Sequence, residues 1–186
     1  MKKLSLFVLV AFFGLAVNAQ EVKFPALDGT PADIAYFPVN AAKVKAGDKS
    51  SPVVKVVYSR PSKKGREIYG ALVPYGKVDR LGANESVDIR FFKPVTIGNK
   101  AIPAGSYSLF AIPGEKTWTM IVNKQTDRWG AYSYDQTMDI VRVEVPVKPL
   151  TEPVEALSMN FSEQSGGANL HIAWDKTSVA LPIQFK

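Results

Sequence analysis

The chain has 186 residues, 46% of them hydrophobic, enough for one ordinary domain whose core needs neither disulfides nor a structural metal. It contains no cysteine and one histidine, which excludes thiolate nucleophiles, Cys-ligated metals and His-rich metal sites. The formal net charge of +6 falls to +4 once a leader carrying Lys2 and Lys3 is removed, a mild surplus without the basic stripe of a nucleic-acid-binding domain.

Residues 1–19 read as a cleavable export signal. Lys2 and Lys3 give a positive start, an apolar run of 14 residues covers 4–17, and Val17-Asn18-Ala19 presents a cleavage site. The run falls short of the roughly 20 residues a helix needs to cross a bilayer, and no stop-transfer segment follows. Cleavage after Ala19 leaves Gln20 as the new N-terminus, with no cysteine there to carry a lipid. The expected product is soluble, without a transmembrane segment, and periplasmic or extracellular.

Residues 20–52 form an irregular arm punctuated by Pro25, Gly29, Pro31, Pro38, Gly47 and Pro52, with one strand expected around 34–37 and a solvated patch at 43–49. From 53 to the end the dominant period is two, the strand period. Val54, Val56 and Tyr58 share one face; so do Val87, Ile89 and Phe91. Gly98-Asn99 marks a two-residue hairpin. Residues 106–112 have apolar side chains pointing both ways, as in a central strand. The alternation resumes with Trp118, Met120 and Val122, then with Val141, Val143 and Val145, then with Leu157, Met159 and Phe161. It ends with Leu170, Ile172 and Trp174, then Val179, Leu181, Ile183 and Phe185, with Gly166-Gly167 and Asp175-Lys176-Thr177 as punctuation. The best helical candidate is a turn or two near 66–72. Short strands with frequent turns predict an all-β antiparallel β-sandwich over 53–186, of jelly-roll type, with a closed barrel as the alternative. No repeat, low-complexity tract or second domain is visible.

Between 58 and 85 the alternation stops. Arg60, Lys63, Lys64 and Arg66 put four cations into seven residues, broken by Pro61 and Gly65, so the charges fan out from a turn. Either they converge on a carboxylate, sulfate or phosphate, or they pair with Glu67, Asp79 or Glu85 in a solvated loop. Arg80, Asn84 and Glu85 surround the bend at Gly82-Ala83, and Asn84 suits a left-handed turn. Trp129, Tyr132 and Tyr134 offer either flat platforms for sugar rings or core filling. Tyr75 lies between the two groups in sequence.

The runs 58–66 and 73–85, with Pro103-Ala104-Gly105-Ser106-Tyr107-Ser108-Leu109-Phe110 and Trp129-Gly130-Ala131-Tyr132, resemble a family of exported bacterial proteins catalogued as domain of unknown function 2911. The similarity covers roughly 53–147. It implies an exported β-domain and brings no activity with it. It also implies Trp at position 79, where this chain has Asp79, so any binding role of that aromatic does not carry over.

Several chemistries lack their residues. His171 has no G-x-S-x-G serine to serve, and Ser59 or Ser62 beside Lys63 and Lys64 fits no serine–lysine spacing. Glu85 with Asp88, or Asp135 with Asp139, are nominal carboxylate pairs for glycan hydrolysis. Asp127, Asp135 and Asp139 lack the rhythm of a calcium loop, and no glycine-rich phosphate loop occurs. The reading is a non-catalytic envelope domain that binds a carbohydrate or small anion, without metal, cofactor or nucleic acid. Its expected site is one concavity lined by Arg60, Lys64, Arg66, Tyr75, Arg80, Asn84, Glu85, Trp129, Tyr132 and Tyr134. The alternatives are a glycan hydrolase with Glu85 as its acid, and a structural or partner-binding envelope protein. Nothing in the sequence fixes an oligomeric state.

Overall fold

Ten strands follow one another along the chain: β1 (Ala32–Phe37), β2 (Val54–Ser59), β3 (Val87–Phe91), β4 (Val95–Ile97), β5 (Lys100–Ile102), β6 (Gly105–Ile112), β7 (Thr117–Asn123), β8 (Asp139–Pro146), β9 (Lys148–Gln164) and β10 (Gly167–Phe185). The computed structural model describes residues 22–41, 45, 47 and 51–185; the leader, its cut after Ala19 and most of the 43–49 patch lie outside the described residues. All pairings are antiparallel and make two sheets, one in the order β1-β2-β3-β6-β7-β8 and one in the order β5-β4-β10-β9. The larger sheet is a meander interrupted by the β4–β5 excursion, without the alternating crossovers of a jelly roll.

The alternation seen in the sequence decides which side chains meet between the sheets. Val54, Val56, Val87, Ile89, Phe91, Trp118 and Met120 from the larger sheet face Leu157, Met159, Phe161, Leu170, Ile172, Leu181 and Ile183 from the smaller one, all buried in one apolar cluster. Full burial of each such side chain is worth about 1.5–3 kcal/mol. Gly98-Asn99 makes the β4–β5 hairpin, and only Gly98 uses a positive φ, +57°. No helix forms near 66–72. Gly70 holds φ at +92°, and its N–H donates to the Val73 carbonyl at 2.9 Å, closing the segment into turns.

β10 is a doubled strand. Nineteen extended residues would span about 60 Å, yet the Phe185 N–H donates to the Gly166 carbonyl at 2.8 Å and a Cβ on Gly167 would lie 3.0 Å from the Gln184 Cα. The chain must reverse between them. The reversal sits at 175–177, where Asp175 takes φ +53° and the register with β9 shifts twice. Its pairing with β9 runs from Gly167 to Ser178, across the reversal, and its last residues, Gln184 and Phe185, pair with β4.

Residues 60–63 carry the chain from one sheet to the other and seal the free edge of β9. The Leu157 N–H donates to the Pro61 carbonyl (3.1 Å) and the Lys63 N–H to the Glu155 carbonyl (2.8 Å). Buried Tyr58 accepts from the Met159 N–H at 2.9 Å and donates to the Met159 carbonyl at 3.3 Å. An edge strand left open would invite pairing with another chain; here alternate residues 155, 157 and 159 are already occupied.

Candidate functional site

The residues expected to line one concavity fall in three places. Arg60 lies at the sheet-to-sheet corner. Its Nη1 meets Asp33 of β1 at 2.9 Å, its Nη2 donates to Ser158 Oγ at 2.9 Å and its Nε donates to the Leu157 carbonyl at 3.2 Å. The guanidinium fork thus ties β1 to β9, and its ion-pair partner is Asp33 rather than Glu67, Asp79 or Glu85.

Lys64 and Arg66 occupy the turn 63–67. Lys64 stands in the left-handed region at φ +49°, and its backbone N–H donates to Glu155 Oε1 at 3.0 Å. Arg66 donates from Nε to the Lys63 carbonyl at 2.8 Å and from Nη2 to the Ser62 carbonyl at 2.7 Å. Tyr75, half-exposed, lays its ring edge over Gly70, where a Cβ would come within 2.8 Å.

The third place joins loops 78–86 and 124–138, and it gathers Arg80, Asn84, Glu85, Trp129 and Tyr132. Residues 79–81 continue the line of β3 beside β6: Asp79 and Ala111 exchange backbone bonds of 2.7 and 3.0 Å. Asp79 Oδ2 then accepts from the Leu81 N–H at 2.7 Å, which sets the bend. Asn84 takes φ +61° and its side chain donates to Asp28 at 2.9 Å, so a residue of the N-terminal arm braces the bend. Arg80 reaches back to the Gly82 carbonyl (Nε, 3.3 Å) and the Asn84 carbonyl (Nη1, 3.2 Å). The Asn84 carbonyl also accepts from the Gly130 N–H at 2.8 Å, and Glu85 bridges antiparallel to Trp129.

Loop 124–138 is held at its base. Buried Asn123 donates to the Asp135 carbonyl (2.9 Å) and to Asp139 Oδ1 (2.8 Å), and accepts from the Gln125 N–H (2.8 Å). Tyr134 turns inward, its ring 5.2 Å from Phe110, edge to face. Its hydroxyl donates to Asp139 Oδ2 at 2.6 Å and accepts from Arg142 Nη2 at 2.7 Å. Burial, followed by the Asp139 bond, pushes the Tyr134 phenol up to about 12. Tyr134 therefore fills space and leaves the outward face to its neighbours. Trp129 is 59% exposed and Tyr132 83%.

Beside Tyr132 lies a recess of about 260 Å³ lined by Val78, Asp79, Arg80, Ala131 and Tyr132. Gly130 sits beneath at φ +64°, where a Cβ would meet Arg80 Nη1 at 2.8 Å and the Tyr132 ring at 3.0 Å. Only glycine lets guanidinium and ring close over it. Burial raises the Asp79 carboxyl above its ordinary value, partly offset by the Leu81 N–H and by Arg80.

Acid chemistry gathers weakly beside this face. Burial first, then the negative charges of Asp127 and Glu85, raises the Asp88 carboxyl. Asp135 and Asp139 are taken up by protein donors, and among the described residues no cluster of three His, Asp or Glu is placed to hold a metal ion. His171 is exposed on β10, its Nε2 2.7 Å from Ser162 Oγ. A second recess, absent from the sequence reading, opens between the turn 63–67 and the β10 reversal, with buried Tyr69 on its wall. Its one sequence signal is an aromatic beside a glycine in the segment that breaks alternation.

Two antiparallel sheets, with loops 78–86 and 124–138 joined beside the larger one, define an all-β protein whose loops, rather than its sheets, carry the exposed aromatics among the described residues. The chain belongs to the family described as Protein of unknown function (DUF2911), whose model matches residues 39–183. That match reaches beyond the resembling segment 53–147 into the arm and the last strands. No curated protein and no solved structure shows a significant match to it. Among the described residues no helix is long and apolar enough to cross a membrane.

Proposed function

We propose that the exported chain, cut after Ala19, is a non-catalytic periplasmic or extracellular domain that binds a carbohydrate or small anion at the Arg80–Trp129–Tyr132 face. The observation that supports it is the exposure of two large aromatics on a loop whose base is pinned, beside a guanidinium that is near Asp79 but makes no direct ion pair among the described residues. Apolar rings on rigid backbone lose little entropy on binding, and they stack on the apolar face of a sugar while their polar edges bond its hydroxyls. A carbohydrate suits this face better than a simple anion, because Asp79 stands beside Arg80 and supplies an acceptor to match the donor. The test is calorimetric titration of the mature chain with envelope oligosaccharides. Trp129→Ala and Tyr132→Ala each lower affinity at least tenfold without changing the melting temperature; equal affinity in both variants would remove the face from the account.

One observation favours a glycan hydrolase as a second reading. The Asp88 carboxyl, raised first by burial and then by the charges of Asp127 and Glu85, supplies a second carboxyl near Glu85, the candidate acid. If wild type releases reducing ends from a bound glycan and Glu85→Gln binds without release, the domain is an enzyme. If no glycan binds, a structural or partner-binding role takes its place.

A further inference from the structure

The recess between turn 63–67 and the β10 reversal has a volume of about 420 Å³, and its lining includes Lys63, Arg66, Tyr69, Asp175, Lys176 and Thr177. Its wall is firm. Tyr69 is 8% exposed and sits edge-on to Trp118, centroids 4.6 Å apart, with Trp174 at 6.4 Å. The Trp174 indole N–H donates to the Glu155 carbonyl, the group that also holds Lys63.

Charges in the recess sort into satisfied and unsatisfied. Lys63 Nζ and Asp175 Oδ1 are 2.6 Å apart with both side chains below 20% exposed, so they form a shielded neutral pair. Arg66 is held in place by two backbone carbonyls while its Nη1 has no partner among the described residues. Lys176 and Glu67 are both exposed in the lining, and neither has an ion-pair partner among the described residues. Tyr69 is largely buried, and its hydroxyl reaches the recess without a protein hydrogen-bond partner among the described residues. Burial, then the charges of Asp79 and Asp175, raises its pKa, so it stays protonated and can only gain by donating to an acceptor.

We infer that this recess is a second binding site, separate from the aromatic face, which takes a small oxyanion through the Tyr69 hydroxyl, the free edge of the Arg66 guanidinium and Lys176. A carboxylate, phosphate or sulfate group supplies the acceptor oxygens that these donors lack, and a planar or tetrahedral oxyanion matches a guanidinium edge. The inference does not rest on saccharide binding elsewhere.

The probes are sodium phosphate, sulfate and acetate, each exchanged against chloride at constant ionic strength. The readout is tryptophan fluorescence, since Trp118 and Trp174 both pack on Tyr69, with melting temperature alongside. The expected result is a saturable change with at least one of the three. Tyr69→Phe keeps the ring and weakens that anion about tenfold, the scale of one lost hydrogen bond to a charged group. Arg66→Gln weakens it similarly, whereas Lys100→Gln at the β4–β5 turn, with the same change in net charge, does not. Without anion, Tyr69→Phe melts at or above the wild-type temperature, because its hydroxyl leaves no protein partner behind. A flat response to all three anions, equal binding in Tyr69→Phe, or an equal loss in Lys100→Gln overturns the inference. Saccharide binding at Trp129 is unaffected by any of those results.

Discussion

Replacing Tyr58 by Phe removes one oxygen from the core and exposes what pins the two sheets together. The hydroxyl is the partner of both the N–H and the carbonyl of Met159, at 2.9 and 3.3 Å, on the free edge of β9. The ring, 5% exposed, remains in place in the variant, so packing changes little and no large cavity forms. What remains is a buried backbone N–H and a carbonyl without partners. One unsatisfied buried group costs about 1–3 kcal/mol, and the carbonyl bond is long, so about 2 kcal/mol of stability is expected to go. For a chain of this size that lowers the melting temperature by about 4–8 °C. Urea unfolding of the mature chain provides the assay: the midpoint falls while the slope is unchanged, since the surface exposed on unfolding is the same. Tyr132→Phe, on an exposed ring, is the control and should not move. A loss below about 0.5 kcal/mol would refute the reasoning, because it would show that water or β9 itself satisfies Met159.

Asp79→Asn is expected to stabilise the chain at pH 7. Burial raises the folded carboxyl above its unfolded value, so its ionisation opposes folding at any pH above the folded pKa, and the advantage of Asn disappears below the unfolded value of 3.8; urea midpoints at pH 7 and near pH 3.5 check this. Tyr58 and Tyr134 both have raised phenols, so the folded state holds them neutral while the unfolded chain ionises from about pH 10; stability falls as pH climbs above that value. Tyr134→Phe flattens the part of that fall between pH 10 and about 12, measured by midpoint against pH. Mass spectrometry of the exported protein should give an N-terminus at Gln20; an uncut chain would contradict the export reading.

The strands were legible because burial alternates where a sheet has one wet face. β2, β3 and the reversal of β10 at Asp175-Lys176 could all be read from residue order alone. Burial of Phe110 fits the two-sided apolar reading of 106–112, but that of Ile121 could not be read: both point away from the inter-sheet core and are buried nonetheless, because the Asn123–Asp135–Asp139 bonds draw the 124–138 segment into a fold of its own, with Tyr134 against Phe110. That same contact turned Tyr134 inward and left Trp129 and Tyr132 outside, a division that their spacing of three and two residues does not encode. The four cations of 60–66 looked like one cluster and became separate devices: Arg60 and Lys63 reached distant carboxylates, Arg66 the nearby Lys63 and Ser62 carbonyls, and Lys64 is bonded through its backbone N–H. Arg60 found Asp33, 27 residues earlier, and Lys63 found Asp175, 112 residues later. Long-range pairing of this kind leaves no local mark. Tyr69 was overlooked for a related reason, because its environment is made by Trp118 and Trp174 from two different sheets.

Saccharide recognition by loops 78–86 and 124–138 is tested most directly by backbone and indole amide shifts of the mature chain, recorded while an envelope oligosaccharide is titrated in. Shifts concentrated at residues 78–86 and 128–132, with the Trp129 indole N–H among the largest, are the predicted pattern. Shifts spread over the open sheet face around Lys55 and Arg90, or no shifts at millimolar sugar, would contradict it.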